Sequence, residues 1–183
     1  PLPDADRRRI VVVGAGLAGM EAAWVAAARG HNVTVFGASD MPGGKALLRE
    51  KLPGGDTVSS IYDYQTVAAK RAGVALRLGR RASAEAIIDL RPDTVILATG
   101  STMIPPDWLP EDIRAEGWVP DLRDAMRDIL RHTGKQDGTA VLFDMDHTEA
   151  TYACAEALRE RFTRVVIVTP RDTIATDVQM VTR

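Results

Sequence analysis

The sequence predicts an α/β fold, a parallel sheet with helices on its faces, built from two strand–helix–strand units in succession. Three observations carry that reading. Residues 9–40, RIVVVGAGLAGMEAAWVAAARGHNVTVFGASD, pass from a β-branched run through a glycine-rich turn into an alanine-rich helix and back to a β-branched run. Residues 139–168 repeat strand, helix and strand without the glycines. The chain is 45% hydrophobic but only 5% aromatic, so its core must be built of Val, Ile, Leu and Ala, as in parallel sheets buried on both faces.

Residues 1–8, PLPDADRR, are polar, carry two prolines and lack an initiator Met. They are expected to be an arriving linker, in a fragment or a processed chain. Residues 10–13 are a strand. Gly14, Ala15, Gly16, Leu17, Ala18 and Gly19 fit G-x-G-x-x-G. Gly14 allows the tight turn off the strand, Gly16 leaves no side chain between backbone and pyrophosphate, and Gly19 lets the helix approach the sheet. The free N–H groups at the helix start then face the phosphates. A helix over 20–29 ends at Gly30 and Asn32, and 33–36 is the next strand. The motif alone is weak evidence; inside a complete strand–turn–helix–strand unit it is a Rossmann-like nucleotide-binding signature.

The second strand of such a unit normally ends in Asp or Glu, which binds the ribose hydroxyls. Here Gly37 stands at that place, followed by Ala38, and Asp40 comes three residues late. Three readings follow. Asp40 reaches back, the ribose anchor is missing, or the site takes a 2′-phosphate. The last wants an Arg close by, and the nearest downstream basic residues are Lys45 and Arg49. Loss of a charged acceptor for the ribose corresponds to roughly 1.5–3 kcal/mol, about ten- to a hundredfold in affinity.

Met41-Pro42-Gly43-Gly44-Lys45 is a loop that can bring backbone N–H groups and a lysine toward a phosphate or flavin. Residues 52–56 are a further loop. Ser59 or Ser60 is expected to cap a helix to about residue 72, with Ile61, Tyr64, Val67 and Ala68 on its apolar face and Gly73 as its stop. Residues 74–78 read as a short strand, 83–88 as a turn or short helix, and 94–98 as a buried strand. Ala98, Thr99 and Gly100 close it, small enough for the chain to turn away beside a nucleotide.

Residues 103–120 form a proline-bearing connector in which Trp108 and Trp118 are expected to be packing anchors. Asp121 caps a helix over 122–132, with Asp124 as a weak capping-box partner and Leu122, Met126, Ile129 and Leu130 inward. Residues 133–138 read as a polar turn, 139–143 as a strand, 150–161 as a helix and 165–168 as a strand. Where a second glycine-rich turn belongs, the chain reads Asp144-Met145-Asp146-His147-Thr148-Glu149. Three carboxylates there would repel a pyrophosphate, so this unit is expected not to bind NAD(P)H. The chain stops before a sheet of this kind is complete. The domain reading is 1–102 nucleotide-binding, 103–120 linker, and 121–183 a partial second unit.

Charge is balanced, with 23 basic and 25 acidic residues, so neither a nucleic-acid nor a membrane surface is expected. Arg71, Arg77, Arg80 and Arg81 read as a solvated face. Cys154, the only cysteine, excludes a disulfide framework or a cysteine-ligated cluster within this chain and reads as a small buried helix residue. No signal-peptide pattern or bilayer-length apolar run is present, and the cytoplasm is the expected compartment. VLFDMDHTEA also resembles the first motif of haloacid-dehalogenase-type phosphatases, with Asp144 as nucleophile and Asp146 as acid/base. Against that, His147 stands where that family has glycine, and too little chain follows for the remaining motifs. A metal held by Asp144 and Asp146 without catalysis is the milder alternative. His31, His132 and His147 have no ligand spacing. No catalytic residue and no metal site are expected.

The order G-x-G-x-x-G, M-P-G-G-K and V-I-L-A-T-G-S is similar to that of glutathione-reductase-like FAD domains. The whole chain resembles the C-terminal nucleotide-binding region of the trimethylamine dehydrogenase, histamine dehydrogenase and 2,4-dienoyl-CoA reductase group of old-yellow-enzyme-related NADH:flavin oxidoreductases. The resemblance implies an FAD-like domain interrupted by an NAD-like domain. It also implies, outside this chain, an N-terminal barrel carrying FMN and an iron–sulfur cluster. Gly14, Gly16, Gly19, Gly43, Gly44, Ala98, Thr99 and Gly100 would then line an FAD or ADP site. The NADPH-dependent reductases of the group keep a glycine-rich second turn. The amine dehydrogenases and N-demethylases replace it with an acidic stretch like Asp144 to Glu149 here, and pass electrons to an electron-transfer flavoprotein. The resemblance implies the latter type.

Overall fold

The computed structural model describes residues 6–176 and residue 178; the expected N-terminal linker therefore lies mostly outside the described residues. In chain order the elements are β1 (Arg9–Val13), α1 (Leu17–Ala28), β2 (Asn32–Phe36), α2 (Ala46–Arg49), α3 (Ser59–Arg71), β3 (Ala75–Arg77), α4 (Ala84–Ile88), β4 (Thr94–Leu97), α5 (Glu111–Ala115), α6 (Leu122–Ile129), β5 (Gln136–Phe143), α7 (Glu149–Arg161) and β6 (Phe162–Val168). They form two compact units. One comprises the chain up to Leu47 and Thr57–Ser101, the other Leu48–Asp56 and the chain from Thr102 onward. Among the described residues no helix is long and apolar enough to cross a membrane.

The first unit is built on a four-stranded parallel sheet in the order β3-β2-β1-β4. The β-branched run of β1 explains its central place: Val11 and Val12 are buried, and their strand pairs on both sides. Met20, Ala23 and Ala27 of α1 pack with Ile10, Val12, Val33 and Val35. Because these helix residues are mostly alanine, α1 lies close to the sheet. It begins inside the glycine motif, earlier than its alanine-rich stretch suggests, since the Met20 N–H donates to the Gly16 carbonyl at 2.9 Å.

Three expectations for this unit are corrected. Helix α3 buries Tyr62, Gln65 and Ala69, whereas Ile61, Tyr64 and Val67 are exposed. A polar side chain sets the face: the Gln65 amide donates to the Leu17 carbonyl (3.1 Å) and to Glu21 Oε2 (2.9 Å), tying α3 to α1. Tyr64, 60% exposed, meets Trp24 edge-on at 5.9 Å. Neither Ser59 nor Ser60 caps α3; Val58 holds that position, and the Ser60 hydroxyl donates to the Thr57 carbonyl. Strand β4 forms as expected and pairs with β1 but is not buried, with Leu97 75% exposed, because it is the edge of the sheet among the described residues. Residues 83–88 resolve into α4, capped by the Ser83 hydroxyl accepting the Ala86 N–H.

In the second unit β5 and β6 pair in parallel, with α7 between them in sequence. Met126, Leu142, Ala153, Cys154, Ala157 and Leu158 form its core, joined by Leu122, Ile129 and Leu130. The expected inner face of α6 is thus the observed one, although the helix stops at Ile129. Burial pushes the Cys154 thiol up to about 11, fitting its place as a small core residue. The expected polar turn at 133–138 gives way from Gln136 to β5, whose pairing slips between Gln136 and Thr139. The tryptophans are not buried anchors. Trp118 is 72% exposed and donates to Glu116, and Trp108 is exposed while its ring meets Phe143 edge-on at 5.0 Å.

Asp121 caps α6 as expected: its Oδ1 accepts the Arg123 N–H (2.8 Å), and its Oδ2 pairs with Arg123 Nη2 at 2.7 Å. The Arg123 guanidinium, more than the backbone bonds, holds the Asp121 carboxyl down to about 2. A depressed carboxyl stabilises the fold above its unfolded value and loses that contribution as pH falls through the folded one. Asp121→Asn is therefore expected to cost about 1 kcal/mol at pH 7. The gap to the native protein should close between about pH 4 and pH 2, as followed by urea unfolding.

Candidate functional site

Segments far apart in sequence meet beyond the C-terminal ends of β1 and β4, where ligands of open parallel sheets sit. Gly14 turns off β1 at φ +118°, and its N–H donates to the Phe36 carbonyl at 2.8 Å. A Cβ at Gly14 would lie 2.1 Å from the Ala98 carbonyl oxygen, and one at Gly19 1.9 Å from the Gly14 oxygen. Both positions accept only glycine because backbone passes over them. Gly16 differs: a Cβ there would meet nothing within 4 Å, so its bareness serves open space rather than packing. Ala15 is buried, Leu17 half-buried and Ala18 exposed.

The first turn of α1 is arranged for an anion. It holds no acidic residue, and Gly16 as N-cap offers no side chain to its N–H groups. The Pro-Gly-Gly loop reaches this turn. The Gly43 N–H donates to the Ala15 carbonyl at 2.8 Å, and Gly43 and Gly16 form an isolated parallel bridge. Gly44, at φ +59°, sits so close that its Cβ would be 3.0 Å from Gly16 Cα. Lys45 Nζ donates to Ser101 Oγ at 2.6 Å, linking that loop to the turn after β4. There Thr99 and Gly100 are exposed and Ala98 half-buried; its N–H donates to the Val13 carbonyl.

The ribose end departs from the usual pattern. Gly37 is buried, and a Cβ on it would lie 2.7 Å from Leu78 Cδ2 and 2.8 Å from Ala15 Cβ, so neighbouring side chains fill the place an acid would start from. Ala38 beside it is exposed. The Asp40 carboxylate lies over Gly79, whose Cβ would come 2.6 Å from Asp40 Oδ1. The two basic residues suggested for a phosphate are engaged elsewhere: Lys45 as above, and Arg49 with the Pro53 and Gly54 carbonyls and with Glu149 at 2.6 Å. Instead, the Arg80 N–H donates to the Gly37 carbonyl at 3.1 Å, and Gly37 donates to Arg77. Arg77 and Arg80 are exposed, as expected of a solvated face; sequence distance hid their backbone contact with Gly37, which follows from the adjacency of β2 and β3 in a parallel sheet.

In the second unit the acidic turn closes on itself. Asp144 and His147 are fully buried, and His147 has φ +54°. Asp144 Oδ1 accepts the His147 N–H (2.9 Å), and its Oδ2 accepts the Tyr152 hydroxyl (2.5 Å). Thr169 Oγ1 meets His147 Nε2 at 3.2 Å. Asp146 accepts from the Thr148 N–H and from the Thr151 hydroxyl at the start of α7. Burial and then the neighbouring Asp144 push the Tyr152 phenol up, so it stays a donor. Asp144 is thus a satisfied structural carboxylate, without the exposure a phosphatase nucleophile needs. Among the described residues no group of three His, Cys, Asp or Glu side chains is placed to hold a metal.

Comparison with known proteins bears on the family and the fold. The family model for pyridine nucleotide-disulphide oxidoreductases matches residues 8–142. The N,N-dimethylglycine/sarcosine dehydrogenase of Chromohalobacter salexigens is 38% identical over 91% of this chain and 24% of its own length. A 2-naphthoyl-CoA reductase structure, in complex with 2-naphthoyl-CoA, superposes with a TM-score of 0.78 at 28% identity, over 98% of this chain and 26% of that one. Histamine dehydrogenase from Rhizobium sp. 4-9 superposes with a TM-score of 0.75 at 25% identity, over 93% and 27%. The chain thus spans about a quarter of the length of these proteins.

Proposed function

Since the chain belongs to the pyridine nucleotide-disulphide oxidoreductase family, in the group of trimethylamine dehydrogenase, histamine dehydrogenase and 2,4-dienoyl-CoA reductase, we propose that its first unit binds the adenosine diphosphate part of FAD, or ADP itself. It does so as the nucleotide-binding and structural part of a flavin-dependent oxidoreductase of amine dehydrogenase or N-demethylase type. The observation that carries this is the open approach over Gly16 at an uncapped helix start free of acidic residues, with the Gly43-Gly44 loop bonded beside it.

Gly14 to Gly19, Gly43, Gly44, Lys45 and Ala98 to Gly100 would hold the pyrophosphate and the groups next to it; Gly37 and Ala38 would face the ribose. FAD bound there would supply two-electron redox chemistry, and ADP none. This chain's own residues bind and orient; none of them is assigned bond chemistry. The second unit, its turn filled by the Asp144–His147–Tyr152 network, takes no NAD(P)H. In the whole protein an N-terminal FMN barrel with an iron–sulfur cluster would oxidise the amine and pass electrons to an electron-transfer flavoprotein.

The reading is tested by denaturing the purified protein and identifying released nucleotide by absorbance and mass. ADP supports the amine-oxidising type. FAD, together with NADPH oxidation, would move the assignment to a reductase module. A protein that releases nothing and binds neither added ADP nor FAD would be a structural domain without a nucleotide, and the proposal would fail.

A further inference from the structure

The geometry points to an adenosine nucleotide whose ribose carries a phosphate as the ligand this site prefers, recognised by Arg80 and Arg81 beside Gly37. The inference rests on the nucleotide site proposed above and goes beyond FAD and ADP, whose ribose is bare, in the group it places at the ribose end.

Three observations meet there. The carboxylate that would accept ribose hydroxyl hydrogens is absent, and the space of its first carbon is filled by Leu78 and Ala15. Backbone hydrogen bonds hold the end of β3 against this position: Gly37 donates to the Arg77 carbonyl at 3.0 Å and accepts the Arg80 N–H at 3.1 Å. The residues so delivered are basic. Arg77, Arg80 and Arg81 are all exposed, with Asp40 the acidic residue against Gly79 beside them. Arg77 is partly committed, its guanidinium 5.4 Å from the Phe36 ring centre, which leaves Arg80 and Arg81 to recognise a ligand.

The physical logic is one of exchange. A carboxylate at the end of β2 accepts from a free ribose and repels a phosphate on it. An arginine there donates to the phosphate through a planar fork and gains little from a bare hydroxyl. This chain lacks the carboxylate and brings arginines to the same place. A phosphate at the 2′ or the 3′ position would present the same dianion, and the two are separable by titration.

The test is calorimetric titration of the full chain with ADP, 2′-phosphoadenosine 5′-diphosphate and 3′-phosphoadenosine 5′-diphosphate, which keep the pyrophosphate and differ only at the ribose, repeated on the Arg80→Ala/Arg81→Ala variant. One of the two ribose-phosphorylated nucleotides is expected to bind about ten- to a hundredfold more tightly than ADP. Which of the two gains identifies the phosphorylated position. The double variant should lose that advantage and keep its ADP affinity within about twofold. Equal affinity for all three nucleotides, or a preference for ADP, overturns the inference while the nucleotide site stands. An advantage that survives in the double variant overturns the assignment to Arg80 and Arg81. Absence of binding by all three removes the site and the inference together.

Discussion

Gly16→Val is expected to weaken ADP or FAD binding by about a hundredfold or more while moving the thermal midpoint by no more than a few degrees. The two halves of that expectation have one cause. Gly16 has φ −77° and ψ −179°, extended backbone that any residue adopts, and nothing lies within 4 Å of a Cβ built on it. The protein therefore tolerates the side chain; a pyrophosphate bound against that backbone would not. Gly19→Val provides the contrast. Its Cβ would lie 1.9 Å from the Gly14 carbonyl oxygen, so it is expected to prevent the first unit from folding. Calorimetry and thermal unfolding on the two variants separate these roles. Native affinity in Gly16→Val would mean that no ligand approaches this turn.

The second large effect lies in the acidic turn. Asp144→Ala is expected to destabilise the second unit by about 3 kcal/mol, measured by urea unfolding. Asp144 is fully buried, and its removal leaves the His147 N–H and the Tyr152 hydroxyl without their acceptor. Tyr152→Phe removes one bond from the same network, and with it the acceptor for the Ala175 N–H, and is expected to cost about 1–2 kcal/mol. The two losses should not add, because both variants break the same contact. A loss below about 0.5 kcal/mol for Asp144→Ala would show that the turn is not held by this carboxylate, and that its acidic residues stand free to repel a ligand instead.

Most of the first unit was legible in the sequence because its signals were local. The β-branched run gave β1, and the glycine spacing gave the turn, where backbone crowds Gly14 and Gly19 while Gly16 faces open space. The Gly43-Gly44 loop needed only its place after β2. What escaped depended on partners distant in the chain. Nothing in the spacing of α3 says that Gln65 turns inward, because its amide nitrogen finds its acceptors, Leu17 and Glu21, on another helix. The apolar run of β4 reads as buried whether or not its outer edge is covered. The acidic turn was read first by charge, as repulsion; its geometry is that of a closed network, a difference set by Tyr152 and Thr169 arriving from elsewhere. The nearness of Arg80 to Gly37 was not legible because it is a property of the sheet.

The central claim is that nucleotide binds at the glycine turn of the first unit and not at the acidic turn of the second. The most direct test is an ADP titration of the full chain followed by backbone amide NMR. The account predicts saturable shifts at Gly16, Leu17, Ala18, Gly19 and Gly44, with residues 141–149 unmoved. Shifts confined to the 141–149 turn, or none at ADP concentrations up to about a millimolar, the weak end of specific binding, would contradict it.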